Sequence, residues 1–539
     1  MDALHDWRQP ALPSLDDDDR EFKARVRTHY DRLAAHRDRW YRRNRRYHDY
    51  VEHALRRLVP PGRSVLELGC ATGNLLKALQ PDRGVGIDLS PAMVDLARRK
   101  YPELRFEVGD AETIGHAALS TSGAADHAAL STSEAAYGDE PFDVIVASDL
   151  IGELLDVTAM LEGLHALSSA GTRLILTFHN PALEGMLRAA QRLKLTMPPA
   201  RQNWIAPPDI MGLLERSDFS VERVHTGLLL PALLPALDRV ADLVPAATPL
   251  LGYLNAVNIV VARPQRPRPL IVPLSCSVIV PCRNEVGNIE AAVGRMPSMG
   301  SHTEIVFVDG ASTDGTRERI EAMQRRYAGV KDIRLIDQVP GPRVVAPTSV
   351  APDAPVAMLR LGKGDAVRKG FMAARGDVVM ILDADLTVPP EDLPRFFNAI
   401  AGGKAEFVNG NRLLYPMEER AMKFVNYLGN KLFSGLFTWM LGQRIRDTLC
   451  GTKALRRESY ERIASGRSYF GDFDPFGDFD LLFGAARLGL RIIDVPVRYR
   501  RRRTGVTKVR VVRHGLLLIA MSLVAFRKFK LGKWMRAWR

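Results

Sequence analysis

Short apolar runs punctuate this chain, and most of them end in a glycine turn or an acid. Ser64-Val-Leu-Glu67-Leu runs into Gly69, and Gly84-Val-Gly-Ile87 ends at Asp88. Leu104-Arg-Phe-Glu-Val108 ends in Gly109-Asp110, and Phe142-Asp-Val-Ile-Val-Ala147 in Ser148-Asp149. A fifth run, Leu174-Ile-Leu-Thr177, precedes Phe178-His179-Asn180-Pro181. Strands alternating with helical segments predict a parallel sheet, so an α/β domain is expected from 61 to 262. The pattern restarts with Ser277-Val-Ile-Val-Pro281, then Glu304-Ile-Val-Phe-Val308 ending at Asp309. Gly376-Asp-Val-Val-Met-Ile-Leu382 follows and ends in Asp383-Ala-Asp385. The expected fold class is therefore α/β in two domains, the second spanning 276 to 510.

The remaining segments look different. Residues 1–60 are rich in Arg and Tyr and read as a helical lead-in. Residues 263–275 open with Arg263-Pro-Gln-Arg-Pro-Arg-Pro269, a composition suited to an extended linker. His116-Ala-Ala-Leu-Ser-Thr-Ser122 recurs as His127-Ala-Ala-Leu-Ser-Thr-Ser133, a small tandem duplication expected to be a surface loop. Leu228-Leu-Leu-Pro-Ala-Leu-Leu-Pro-Ala-Leu237 reads as a core or lid helix interrupted by prolines, or as a surface for a lipid-like substrate.

Composition supports a folded, non-secreted protein. Apolar residues make up 46% and charged residues 25% of the 539 positions. Cys70, Cys276, Cys282 and Cys450 show no CxxC spacing, which points away from zinc and towards a reducing, cytoplasmic setting. No apolar run reaches the roughly 18 residues that a membrane span needs. The net charge of +13 is local: residues 498–539 hold fourteen Lys and Arg and no Asp or Glu, so the rest of the chain is close to neutral. In this tail (511–539), the apolar run 514–526 precedes cations mixed with Trp534 and Trp538. It reads either as a basic amphipathic helix lying peripherally on an anionic membrane or as a helix packed on its own domain. Nucleic acid is not expected as a partner, because no recognition module is present.

The first domain carries its chemistry at strand ends. In Glu67-Leu-Gly69-Cys-Ala71-Thr-Gly73, glycines allow close backbone approach and the following helix offers free N–H groups. Asp88 closes the second strand, where an acid can hold ribose hydroxyls. With Asp110 and Asp149 these residues resemble a class I S-adenosylmethionine-dependent methyltransferase with a Rossmann-like fold. The resemblance implies that Glu67, Gly69, Ala71 and Gly73 contact the methionine part of S-adenosyl-L-methionine. It further implies that Asp88 holds the ribose, that Asp110 approaches the adenine, and that Asp149 belongs to the same cofactor set. Ala71 stands where the family often has glycine, and a methyl group there is tolerated where φ is negative. For the methyl acceptor, His179 is a candidate general base, and Gln202-Asn203-Trp204 a candidate lid.

In the second domain two carboxylates one residue apart, Asp383 and Asp385, can share Mg²⁺ or Mn²⁺ with phosphate oxygens. Gly362-Lys363-Gly opens a helix in a manner apt for phosphate. The whole order resembles a family 2 glycosyltransferase of GT-A fold, nearest to the dolichyl- and polyprenyl-phosphate sugar synthases. The resemblance assigns Pro281, Glu285 and Asp309 to the nucleoside. It assigns Lys363, Asp383, Arg412, Arg502 and Lys508 to the donor phosphates, and Asp383 and Asp385 to the metal. Asp447 falls near the reacting sugar, and Asp478 or Asp480 is the candidate base, with helix N-capping as the alternative. Thr387 replaces a glutamine that often helps to hold the metal.

The sequence thus predicts a bifunctional enzyme. One half would transfer a sugar, with inversion, from a nucleotide-sugar to a polyprenyl or dolichyl phosphate. The other would methylate an acceptor of the same pathway. The alternative is transfer to a hydroxyl of a growing surface glycan, with the methyltransferase modifying that glycan.

Overall fold

The computed structural model describes residues 17–114, 140–200, 202–229, 255–265, 273–338, 362–415, 424–466, 478–500 and 502, together with Ile519, Ser522, Leu523, Phe526 and Arg527. The duplication at 116–133, the residues from 230 to 237, Lys508 and the end of the tail lie outside the described residues. The chain divides into two compact units, one of residues 15–267 and one that contains residues 268–539.

In the first unit, helices α1 (Asp17–Arg43) and α2 (Arg45–Leu58) precede strand β1 (Ser64–Leu68). Helix α3 (Asn74–Ala78), β2 (Arg83–Asp88), α4 (Pro91–Lys100), β3 (Arg105–Val108), β4 (Phe142–Ser148) and β5 (Ser168–His179) follow. Strands β6 (Phe219–Leu229) and β7 (Asn255–Pro264) complete a seven-stranded sheet of order β3-β2-β1-β4-β5-β7-β6. The strands from β3 to β5 pair in parallel, whereas β7 is antiparallel to both β5 and β6. Such parallel strands are buried on both faces, which explains their near-continuous apolar runs. Arg263 and Pro264 pair with Ser220 and Phe219, so the first two residues of the expected linker belong to the sheet.

The second unit repeats the scheme with one change. Its sheet joins β8 (Cys276–Cys282), β9 (Thr303–Asp309), β10 (Asp332–Asp337), β11 (Val378–Ile381), β12 (Phe407–Asn411), β13 (Lys453–Arg456) and β14 (Ile492–Pro496) in the order β10-β9-β8-β11-β13-β12-β14. All pairs are parallel except those of β13, which runs against β11 and β12. Helices α5 (Lys363–Ala373), α6 (Phe424–Leu441) and α7 (Asp478–Arg487) belong to this unit. Apolar clusters that include Val278, Phe307 and Phe396 on one side, and Ile279, Phe371 and Phe437 on the other, sandwich the sheet. All four cysteines are free and buried.

Candidate active sites

In the first unit, the carboxyl ends of β1 and β4 border a cavity of about 530 Å³, its open mouth included. Glu67, Gly69, Ala71 and Asp149 line it from the sheet side, and Arg37, Tyr47 and His48 from the two leading helices. Gly69 and Gly73 take left-handed φ of 71° and 76°, and a Cβ on Gly73 would collide with Phe106. Ala71 has a φ of 48°, so the condition under which its methyl group is tolerated is not met. The left-handed backbone costs an alanine roughly 1 kcal/mol, and Asp88 Oδ2 holds it there by accepting the Ala71 N–H at 2.8 Å.

The acids are tightly bound. Asp88 Oδ1 also accepts Ser90 N–H at 2.9 Å, and burial pushes its carboxyl up against the pull of these two bonds. Glu67 Oε2 accepts Leu76 N–H at 3.0 Å in the first turn of α3, and burial drives its pKa to about 8. Asp149 accepts the Tyr47 hydroxyl at 2.6 Å. Asp110 is paired with Lys23, which also lies 3.2 Å from Glu112.

These last contacts come from α1, which lies along the strand ends. Besides Lys23, Tyr30 donates to Glu153, and Asp31 accepts from Ser90 Oγ at 2.6 Å and from Ala92 N at 3.2 Å. Asp38 accepts from Thr72 Oγ1 and from Lys100, both at 2.9 Å. Lys23, Tyr30 with Asp31, and Arg37 with Asp38 recur two turns apart, so they share one helical face. Reading residues 1–60 as a lead-in missed this, although the spacing is visible in the sequence. His179, at the end of β5, packs between Tyr47 (5.2 Å between ring centroids) and Trp204 (6.5 Å), and its Nδ1 is buried without a hydrogen-bond partner.

In the second unit, Asp383 and Asp385 follow β11. Lys363, the first residue of α5, places Nζ 2.6 Å from Asp383 Oδ1. Arg502 pairs with Asp385 and lies 3.8 Å from Glu285. Thr387 donates from N–H (3.1 Å) and Oγ1 (2.9 Å) to Asp385, so here it serves the carboxylate. Gly451 adjoins the Lys363–Asp383 pair so closely that a Cβ would overlap both side chains. Asp309 closes β9, accepting from Ser312, and Pro281 lies at the end of β8. Among the described residues no three His, Cys, Asp or Glu side chains form a metal cluster. Two carboxylates nevertheless suit Mg²⁺ or Mn²⁺, because such ions complete their shells with water and substrate phosphate.

Asp447 and Arg412 form a different kind of pair. Asp447 is fully buried and accepts five hydrogen bonds: three from Arg412 (N 3.0 Å, Nε 2.7 Å, Nη2 2.8 Å), one from Asn430 Nδ2 (2.7 Å) and one from Leu449 N (3.0 Å). Burial raises its pKa, but the charge and hydrogen bonds of Arg412 outweigh that and hold it at about 2. In this geometry Arg412 spends its guanidinium on Asp447 rather than presenting it to a phosphate. Asp447 is thereby fixed by Arg412, Asn430 and Leu449. Asp478 is the first residue of α7, and Asp480 is buried in its first turn.

Two family models match the chain, a methyltransferase domain over residues 39–224 and glycosyl transferase family 2 over residues 277–341 and 359–464. A dolichyl-phosphate hexose transferase of Haloferax volcanii is 30% identical over 228 residues, covering 42% of this chain and 80% of that protein. The chain belongs to glycosyl transferase family 2. Ahead of its glycosyltransferase domain it carries a methyltransferase domain. A dolichol-phosphate mannosyltransferase of Pyrococcus furiosus is 28% identical over 243 residues, which cover 44% of this chain and 60% of that protein, less than two thirds of its length. A solved S-adenosylmethionine-dependent methyltransferase of Thermotoga maritima is 16% identical, covers 44% of this chain and all of its own, and superposes with a TM-score of 0.33.

The glycosyltransferase domain pairs Lys363 with Asp383, and Arg502 with both Asp385 and Glu285, and the methyltransferase domain places Glu67, Gly69, Ala71 and Asp149 around one cavity. Sequence reasoning did not single out Asn430 or Lys23, both of which touch predicted site residues from distant helices.

Proposed function

We propose that the glycosyltransferase domain moves a sugar, with inversion, from a nucleotide-sugar to a polyprenyl phosphate or a related lipid carrier. The observation that carries this is the Asp383–Asp385 pair with Lys363 and Arg502 beside it, an arrangement suited to a nucleoside diphosphate with its cation. A divalent ion bound by the two aspartates would neutralise charge on the departing diphosphate, worth several kcal/mol. Lys363 and Arg502 add fixed positive charge at the same place. A phosphate acceptor is already anionic and needs little help from a base. The similarity to the Haloferax volcanii dolichyl-phosphate hexose transferase supports this acceptor class.

The methyltransferase domain takes S-adenosyl-L-methionine and methylates an acceptor of the same pathway. The cofactor fits the cavity by its donor set: Asp149 for cationic and hydroxyl groups, and Arg37 for a carboxylate. When bound, it supplies the methyl group. We take His179, which packs beside Tyr47 and Trp204, as the base for the acceptor's proton.

The test is a transfer assay with a polyprenyl phosphate, Mn²⁺ and a panel of UDP- and GDP-sugars, read by mass spectrometry of the organic phase. A glycolipid made by the wild type and not by Asp385→Ala supports the reading. Donor hydrolysis that depends on Asp385, with no lipid product, moves the acceptor to a glycan hydroxyl. Adding S-adenosyl-L-methionine to the product then reports whether the same molecule is methylated.

A further inference from the structure

Three polar side chains stand in one row across the second sheet. Lys453 on β13, Asn409 on β12 and Asp494 on β14 occupy paired positions of adjacent strands, so they share one face. Lys453 and Asn409 are 0% exposed and Asp494 is 4% exposed. Lysine is almost never buried this fully unless it is partnered, and the row supplies partners. Lys453 Nζ donates to Asn409 Oδ1 at 3.2 Å, and Asn409 Nδ2 donates to Asp494 Oδ1 at 2.7 Å. Apolar side chains of similar volume would often stabilise such a site as well or better, so stability alone does not account for the row.

The same three side chains grip one stretch of main chain. Asp494 Oδ2 accepts from Arg446 N at 2.9 Å, and Asn409 Nδ2 also donates to Asp447 O at 2.8 Å. Lys453 Nζ donates to Cys450 O. From α6, Asn430 Oδ1 accepts from Thr448 N at 3.1 Å. Residues 446–451 precede β13 and belong to no strand, so these side chains take the place of a ladder. The stretch ends at Gly451, whose backbone abuts the Lys363–Asp383 pair.

We infer that Lys453 is a positioning residue of the sugar transfer: through Cys450 it sets where Asp447 to Gly451 stand against the Lys363–Asp383 pair. A misplacement of about 1 Å at a reacting centre can cost on the order of a hundredfold in rate, and Gly451 leaves no slack on its other side. The row reaches the candidate donor site only through the main chain it holds, so its effect falls on geometry. The inference rests on the reading of Lys363 and Asp383 as the donor site and is independent of the acceptor.

The experiment compares wild type with Lys453→Met, which keeps similar bulk but has no donor, and with Lys453→Met combined with Asp494→Asn. The double variant removes one charge of each sign from the row, which keeps the fold accessible where the single variant is destabilised. Three quantities are read: melting temperature, kcat and donor KM in the transfer assay, and the Mn²⁺ paramagnetic resonance spectrum with UDP or GDP and no acceptor. The expected result is a folded double variant whose kcat is lower by at least about tenfold, while its donor KM moves by less than about threefold. Its Mn²⁺ spectrum with nucleotide should differ from that of wild type. A lower melting temperature with wild-type kcat and spectrum in the folded protein overturns the inference and leaves the row a stabilising one. Absence of transfer by wild type, with a spectrum that still changes in the double variant, removes the acceptor reading and sustains the positioning role. A wild type whose Mn²⁺ spectrum ignores both nucleotides removes the donor-site reading, and the inference with it.

Discussion

Lys363 Nζ lies 2.6 Å from Asp383 Oδ1, so one carboxylate of the candidate metal site already holds a cation. Arg502 does the same for Asp385. A divalent ion that enters must compete with both. Metal alone should therefore bind weakly, and a nucleoside diphosphate, which offers Lys363 and Arg502 new partners, should tighten it. Calorimetry with Mn²⁺, alone and with UDP or GDP, is expected to show at least about a tenfold gain in metal affinity. Lys363→Met should strengthen Mn²⁺ binding alone while weakening nucleotide binding. Equal metal affinity with and without nucleotide would falsify this competition.

Gly451 leaves no room for a side chain against that same pair. Gly451→Ala should push Lys363 and Asp383 apart without unfolding the domain. The expectation is a loss of at least about tenfold in kcat/KM, with melting temperature nearly kept. A variant with wild-type kcat/KM would show that the pair can move freely.

The buried Asp447 carboxylate balances the Arg412 guanidinium. Removing its charge strands the buried Arg412 guanidinium, and breaking such a pair typically costs about 3–5 kcal/mol. Asp447→Asn should therefore lower stability in urea unfolding along with activity. Full stability with abolished turnover would return Asp447 to the reacting centre.

The methyltransferase domain should lose stability as pH rises. Burial raises Glu67 and Glu153 to about 8 each, far above the unfolded carboxyl value near 4.5. Between those values the folded state keeps protons that the unfolded state has released, so ΔG of unfolding falls as pH climbs from about 4.5 towards 8. Glu67→Gln removes one of these protons and should flatten the slope. Melting curves from pH 5 to 8 on both proteins check the sign: a wild type that gains stability over this range from the methyltransferase domain contradicts it.

Arg37 is the one Lys or Arg among the described residues lining the cofactor cavity. It should meet the carboxylate of the cofactor. Arg37→Met is expected to weaken binding of S-adenosyl-L-homocysteine, which keeps that carboxylate, by at least about tenfold. Unchanged affinity in calorimetry would assign the arginine to balancing Asp88 and Asp149 instead.

Local pattern carried much of the architecture. Apolar runs ending in Asp88, Asp149, Asp309 and Asp383 announced both sheets, because parallel strands buried on two faces leave little else to write. Antiparallel β13 was not legible, since its Lys453 and Arg456 break the apolar pattern. The Ala71 backbone was also hidden: its left-handed φ is imposed by Asp88, a partner on another strand. Lys23, Asp38 and Asn430 escaped for the same reason, as each reaches its site from a helix far away in sequence. The tertiary contact decides such roles, and periodicity alone only nominates them.

Asn430 and Trp439 ride on the same rigid helix, one facing the Asp447–Arg412 lock and the other facing outward. That arrangement ties the lock to whatever touches the outer face of the helix. Linkage is reciprocal, so an outer-face contact that changed donor affinity would itself be changed by donor occupancy by the same factor.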